Sequence, residues 1–150
     1  MDVTIRRGGP TDAGLAADLL LRARKAAGDA IPAAVHSDSE VRSWLAAHVA
    51  RTQLWIAESN DGELLAIMVL DGDVVDQLYV EPSRTGCGIG AQMLAIAKRE
   101  RPHGLQLWTF VSNRGAQRFY EQHGFTEVRR TDGSNNEERA PDIRYQWRPR

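Results

Sequence analysis

The 150-residue sequence predicts a single α/β domain built on a mixed, largely antiparallel sheet. Three observations predict this class. The length fits one domain with one hydrophobic core. Three apolar strand patterns follow one another in the middle of the chain with only short turns between them, as in an antiparallel meander. Helical and strand patterns alternate in the second half, and no repeat or linker interrupts the chain, so one domain over residues 1–150 is expected.

The first third of the chain is predicted to form a short strand and two helices. Residues 3–6 alternate in polarity like a strand. After Pro10, apolar residues recur at helical spacing up to Ala23, and residues 28–32 end that pattern. Residues 37–40 supply capping side chains for a second helix. One face of that helix carries Val41, Trp44, Leu45, His48 and Val49.

The middle of the chain is predicted to be the antiparallel meander. Residues 54–58 form its first strand, and the turn at 59–62 has a hairpin signature. Residues 64–70 form its second strand, and after a turn at 71–73 residues 74–80 form the third.

The last third is predicted to alternate helices and strands. The predicted elements are a helix at about 89–101, a strand at 105–111, a helix at 113–123 that Gly124 ends, and strands at 125–130 and 143–147. The loop 131–141 is polar, and we expect it to be mobile.

Composition and charge exclude several classes of protein. Nineteen Lys and Arg residues against twenty Asp and Glu give a net charge of -1, without the basic excess of a nonspecific nucleic-acid binder. The sequence contains no run of about 18 apolar residues, the length that a membrane-spanning helix requires. One cysteine and no secretory signal pattern favour a cytoplasmic location. The four histidines lack metal-ligand spacing, so no metal site is expected.

Three glycines at alternate positions, Gly86, Gly88 and Gly90, separate a predicted strand from a predicted helix. Without a Cβ, glycine lets backbone N–H groups approach an anion, and the following helix adds the positive end of its dipole. The loop lacks the Lys and Ser or Thr of a nucleoside-triphosphate loop, and two helices and three strands precede it, unlike in a dinucleotide fold. We therefore expect this loop to bind a diphosphate within a fold that is neither of those two.

A second motif follows the strand at 105–111. It consists of Asn113, Ala116, Phe119, Tyr120, Gly124 and Phe125. Together with the glycine loop, residues 74–125 resemble the GNAT superfamily of acyl-CoA-dependent N-acyltransferases. The resemblance implies a sheet of six to seven strands flanked by about four helices. It also implies that strands 4 and 5 splay apart, with Val80 near the split, to admit the pantetheine arm of acetyl-CoA.

The resemblance also implies which residues bind this co-substrate. The strand residues Leu78, Tyr79 and Val80 offer backbone groups to the pantetheine. The diphosphate would lie on backbone amides of the loop residues Thr85, Gly86, Cys87, Gly88, Ile89, Gly90 and Ala91. Asn113 would contact the co-substrate from the other limb of the slot, and Tyr120 would also border it. Thr85 departs from the family pattern, which has Arg or Gln there, although Arg84 stands one residue earlier.

The reaction that the resemblance implies is direct attack of a primary amine on acetyl-CoA within a ternary complex. Tyr120 would be the general acid, because a phenol with a pKa near 10 can protonate a departing thiolate. Asp76 is our candidate base, on the argument that it shares strand parity with Leu78 and Val80. Glu81, Asp73 or a water molecule stay open as alternatives.

Acceptor, partner and competing functions are less determined. The amine could belong to a small molecule or a peptide, and a homodimer is possible because many similar domains pair through their C-terminal strands. The acidic residues Glu137 and Glu138 could attract a cationic amine, and Trp108 could line its pocket. Cys87 is expected to be a structural thiol. The alternative function is a noncatalytic GNAT-like module that binds acyl-CoA as a sensor or interaction protein.

Overall fold

The computed structural model describes residues 2–150 and folds them into seven strands and four α-helices. The strands are β1 (Val3–Arg7), β2 (Gln53–Ser59), β3 (Leu64–Asp71), β4 (Val74–Val80), β5 (Leu105–Phe110), β6 (Thr126–Thr131) and β7 (Asp142–Trp147). The helices are α1 (Ala13–Ala27), α2 (Asp38–Val49), α3 (Ile89–Glu100) and α4 (Arg114–Gln122). Every predicted element is present within a few residues of its predicted bounds, and three short 3₁₀ turns are additional.

The seven strands form one sheet in the order β1-β2-β3-β4-β5-β7-β6. Neighbouring strands are antiparallel except β4 and β5, which run parallel and pair only at Val74 and Gln106. A bond from the Gln106 N–H to the Asp73 carbonyl, 2.9 Å long, closes this end of the gap. The two strands splay apart beyond it, so the mixed, mostly antiparallel sheet and the splay between strands 4 and 5 are confirmed.

Helices cover the sheet on both faces and bury two apolar layers. The α1–α2 layer includes Leu19, Leu20, Leu45, Ile56 and Ile67. The layer on the α3 side includes Met68, Met93, Leu107, Phe125 and Tyr145. Burial of such side chains supplies the main driving force for folding. No helix among residues 2–150 combines the length and apolar character needed to cross a bilayer.

Local signals in the sequence fix two helix ends that border the site. Ser37 caps α2: its hydroxyl accepts a bond from the Glu40 N–H, and the Glu40 carboxylate accepts one from the Ser37 N–H. Gly124 follows α4 with a φ of 88°, the left-handed conformation that ends helices. Both ends lie where the sequence predicts them.

Candidate active site

The splay of β4 from β5 opens a slot in the middle of the sheet. Beyond Val74, the β5-facing backbone groups of β4 have no strand partner among the described residues. Leu78 and Val80 pack toward the α3 side, whereas Tyr79 packs with the α1–α2 layer, where its hydroxyl accepts a 3.1 Å bond from Nε of Arg24. Backbone polar groups in a fold need partners, so this edge can bind an extended ligand that carries amides, such as pantetheine.

The glycine loop connects β4 to α3 and leaves its backbone donors free. Gly86 and Gly88 have φ values of 78° and 80°, which favour glycine. Gly88 also caps the 12-residue α3 without any side-chain bond. Within residues 2–150, the N–H groups of residues 86–91 donate to no acceptor. Free N–H groups at a helix N-terminus bind phosphate, so the loop fits the diphosphate of coenzyme A.

The side chains of this loop contribute little to that anion site. Thr85 is exposed, and its hydroxyl donates to the Pro82 carbonyl at 3.3 Å. Arg84 forms an ion pair with Glu63, 3.2 Å away, so it does not stand in for the family's Arg or Gln in this conformation. Cys87 is an exposed free thiol. Any grip on a phosphate therefore depends on the backbone.

Gly90 sets the distance between the two limbs of the slot. A Cβ at this position would lie 3.3 Å from Cζ of Phe119 on α4 and 3.7 Å from a methyl carbon of Val80. The neighbouring Ile89 is buried in the core on the α3 side. The start of α3 therefore packs closely against α4 because residue 90 has no side chain.

Asn113 begins the second limb as the N-cap of α4. Its Oδ1 accepts a 3.1 Å bond from the Ala116 N–H, which is a standard stabilising cap. Its amide NH₂ group makes no hydrogen bond within residues 2–150 and is free to donate to a ligand. The residue predicted to contact the co-substrate therefore also fixes the start of the helix that carries Tyr120.

Tyr120 lies on α4 with 9% of its surface exposed. Its ring packs edge-on against Phe119 and Phe125, with centroids 5.2 and 5.5 Å away. Burial raises the pKa of the phenol above its ordinary value near 10, and the charge of an ionised Tyr79 would raise this pKa further. Tyr120 therefore keeps its proton throughout the neutral range, and its hydroxyl forms no hydrogen bond within the described residues.

A β-bulge places Asp76 differently from the prediction. Val69 pairs with Gln77 and Leu70 with Val75, which leaves Asp76 as an extra residue on β4. The expected shared parity with Leu78 and Val80 is therefore wrong: Leu78 and Val80 pack on the α3 side, whereas Asp76 contacts α2. The bulge reverses the alternation of the strand at the point where the acidic side chain lies.

Asp76 forms a pair with His48 of α2. Nε2 of His48 lies 2.9 Å from Oδ2 of Asp76, and the two side chains are 12% and 30% exposed. An ionised carboxylate only accepts hydrogen bonds, so His48 is the donor. Trp44 stacks on the imidazole at 4.8 Å with the rings 20° apart. His48 thus holds the carboxylate in one position, and Trp44 holds His48.

Comparison with known proteins identifies the family of this chain. A family model described as "Acetyltransferase (GNAT) domain" matches residues 50–127, more than half of the chain. The chain belongs to the GNAT acetyltransferase family. The GNAT match includes the glycine loop, the Asn113 motif and β2 to β5, the elements that build the slot.

Two curated relatives agree with this GNAT assignment. Peptidyl-lysine N-acetyltransferase YiaC of Escherichia coli is 31% identical over 80 residues, and peptidyl-lysine N-acetyltransferase YjaB of Escherichia coli is 27% identical over 96. The matches cover 53% and 63% of both chains, so this chain spans little more than half the length of these relatives.

Two solved structures share the GNAT fold over nearly the whole chain. The solution structure of apo-form YjaB from Escherichia coli has a TM-score of 0.80 at 22% identity, over 98% of each chain. A structure of YncA from Salmonella typhimurium, described with its cofactor acetyl-CoA, has a TM-score of 0.70 at 19% identity, over 99% of this chain and 94% of that one.

A cleft of about 1540 Å³ lies beside the GNAT slot. Asp76 and Tyr79 line it from β4 and Trp108 lines it from β5, opposite α2 and the segment that precedes it. Glu137 and Glu138 line it from the β6–β7 loop, as the hypothesis of an acidic mouth requires. The predicted base and the side chains predicted to border the acceptor amine therefore line the same cleft, which we call the acceptor cleft.

The alternative bases are engaged elsewhere. Glu81 pairs with Arg22 at 2.6 Å, and the Asp73 carboxylate accepts a 3.0 Å bond from Gln106 at the closed end of the slot. Neither of them lines the cleft.

Within the described residues, no group of three or more His, Cys, Asp or Glu side chains could hold a metal.

Sequence reasoning missed His48 as part of the site. From the sequence we expected only that the four histidines form no metal site, although the helical pattern places His48 on the apolar face of α2. A histidine on an apolar face needs a polar partner. That requirement was the available signal, but nothing in the sequence identified Asp76 as the partner.

Proposed function

We propose that this protein is an acetyltransferase that moves the acetyl group of acetyl-CoA onto the ε-amine of a lysine in a polypeptide. The observation that carries the proposal is the splayed slot, which joins a loop of free N–H groups, a buried protonated phenol and a carboxylate-lined cleft. The names of the curated relatives, peptidyl-lysine N-acetyltransferases, support lysine as the acceptor.

Acetyl-CoA would lie in the slot with its diphosphate on residues 86–91 and its pantetheine along β4, and when bound it supplies an electrophilic thioester. The residues proposed to hold it are those expected from the sequence, and the family relationship and the acetyl-CoA in the YncA structure support the co-substrate. Because the binding groups are mainly backbone, the absence of the family's Arg or Gln at Thr85 weakens the phosphate grip without abolishing it.

The chemical step needs one base and one acid. Asp76, directly or through water, takes a proton from the ammonium so that the neutral amine can attack the thioester carbonyl. The new C–N bond forms, the C–S bond breaks, and Tyr120 gives its proton to the departing thiolate. The nitrogen then loses its second proton to water, and the tyrosinate regains a proton from solvent. His48 holds the Asp76 carboxylate by hydrogen bonding. Burial keeps the Tyr120 hydroxyl protonated until the thiolate departs.

The test is a free-thiol release assay on lysine peptides with acetyl-CoA, comparing the wild-type protein with Tyr120→Phe. Loss of a general acid lowers turnover by about 10²-fold or more, while the dissociation constant of acetyl-CoA should stay close to the wild-type value. If the wild-type protein binds acetyl-CoA but releases no thiol with any amine, the noncatalytic acyl-CoA-binding alternative takes its place. A cytoplasmic location and a homodimer stay predictions.

A further inference from the structure

Exposed apolar side chains concentrate in the acceptor cleft. Five large hydrophobic residues are exposed among residues 2–150: Leu15, Val35, Trp44, Trp108 and Val128. Three of the five, Val35, Trp44 and Trp108, line the cleft that contains Asp76. Single exposed apolar residues need no explanation, but several in one concave site mark a binding surface.

These three side chains come from different parts of the fold. Val35 lies in the segment before α2, Trp44 lies on α2, and Trp108 lies on β5, so no single helix or strand face accounts for them. Their exposed fractions are 55%, 43% and 46%. Trp44 is also held in place by its stack on His48. The result is an apolar lining in the same cleft as the proposed base.

The charges of the cleft favour a cationic ligand. The carboxylates that line it are Asp18, Asp38, Glu40, Asp76, Glu137 and Glu138, and the Arg and Lys side chains are Arg22, Arg24, Lys25 and Arg42. Arg22 is neutralised by Glu81 outside the cleft, and Arg42 by Asp18 within it. His36 also lines the cleft, 3.0 Å from Glu137 and 3.5 Å from Glu40. Even with His36 counted as a cation, the remaining carboxylates outnumber the remaining cations, which raises the local concentration of an ammonium ion.

We infer that the acceptor is a lysine with a large apolar residue directly before or after it in the polypeptide, an inference that rests on the proposed function. The lysine ε-ammonium would lie beside Asp76, and the apolar neighbour would pack on Trp108 and Trp44. A hydrophilic polyamine would leave the exposed surface of all three apolar side chains in contact with water. An apolar neighbour of the lysine covers them and matches both the charge and the lining of the cleft.

The test compares two pentapeptide amides with acetylated N-termini and a free lysine side chain, Gly-Phe-Lys-Phe-Gly and Gly-Ser-Lys-Ser-Gly. Thiol release is measured with saturating acetyl-CoA. We expect kcat/KM to be about tenfold higher for the Phe peptide, the effect of removing roughly 60 Å² of apolar surface from water. Trp108→Ala should bring the ratio toward one. Trp44→Ala is the second variant, and acetyl-CoA titration and a thermal melt check that each variant is folded.

Leu15→Ala is the matched control, because Leu15 is 63% exposed but does not line the cleft, and it should leave the ratio unchanged. A wild-type ratio near one, or a ratio that both Trp variants leave intact, overturns the inference but not the proposed function. Faster turnover of free phenethylamine than of the Phe peptide also overturns it, as does a wild-type dimer that Trp108→Ala converts to monomers. No thiol release from either peptide refutes the proposed function itself.

Discussion

Replacing Gly88 with Ala should weaken the binding of acetyl-CoA more than it lowers the stability of the fold. Gly88 has a φ of 80°, and a Cβ there would meet no atom within 4 Å. The stability cost is therefore only the left-handed strain of a non-glycine residue, about 1 kcal/mol. For a domain of this size that strain lowers the melting temperature by about 2–4 °C. The new methyl group, however, lies among the N–H groups proposed to hold the diphosphate.

The loss of binding should be larger than the loss of stability. Displacing one hydrogen bond to a charged phosphate costs about 1.5–3 kcal/mol, which raises the dissociation constant of acetyl-CoA by about 10- to 100-fold. Gly72→Ala is the matched control: it has a φ of 58° and equal space, but it lies in the β3–β4 turn, at the other end of β4. Calorimetric titration and a thermal melt measure both effects. Equal dissociation constants for wild type and Gly88→Ala would refute the assignment of this loop.

Two further predictions concern the site. His48→Gln should lower kcat/KM for a lysine peptide by several-fold and add nothing in an Asp76→Asn background, because a positioning residue acts through its partner; additive losses in steady-state kinetics would contradict this role. Burial raises the pKa of Tyr120 and of Tyr145, whose hydroxyl also donates to Glu121. Their stabilising contribution is therefore complete below about pH 10 and declines as the pH rises further. Absorbance titration should show both phenols ionising above the ordinary tyrosine range, and normal titration of all three tyrosines would contradict it.

The sequence predicts the order of elements well because the local signals agree with the fold. The Ser37 and Glu40 capping pair, the Gly124 helix end and the hairpin turn at residues 59–62 each specify a local conformation that tertiary packing leaves unchanged. The glycine loop is predictable for the same reason, since positive φ values restrict the choice of residue.

The details of the acceptor side were not predictable, because they depend on contacts between distant residues. The bulge at Asp76 arises from the register between β3 and β4, and strict alternation along β4 gave the wrong face. The His48–Asp76 bond joins residues 28 positions apart. Trp108 was expected to line the acceptor pocket, and it does, but Trp44 had an ordinary core pattern, and only the fold brings both to one cleft.

The central claim is that the slot binds acetyl-CoA, and calorimetric titration of the purified protein with acetyl-CoA, desulfo-CoA and ATP tests it most directly. We predict micromolar binding of acetyl-CoA and desulfo-CoA and no binding of ATP, because the slot supplies partners for pantetheine and the loop lacks a triphosphate-binding lysine. Absence of acetyl-CoA binding, or equal binding of ATP, would contradict the account.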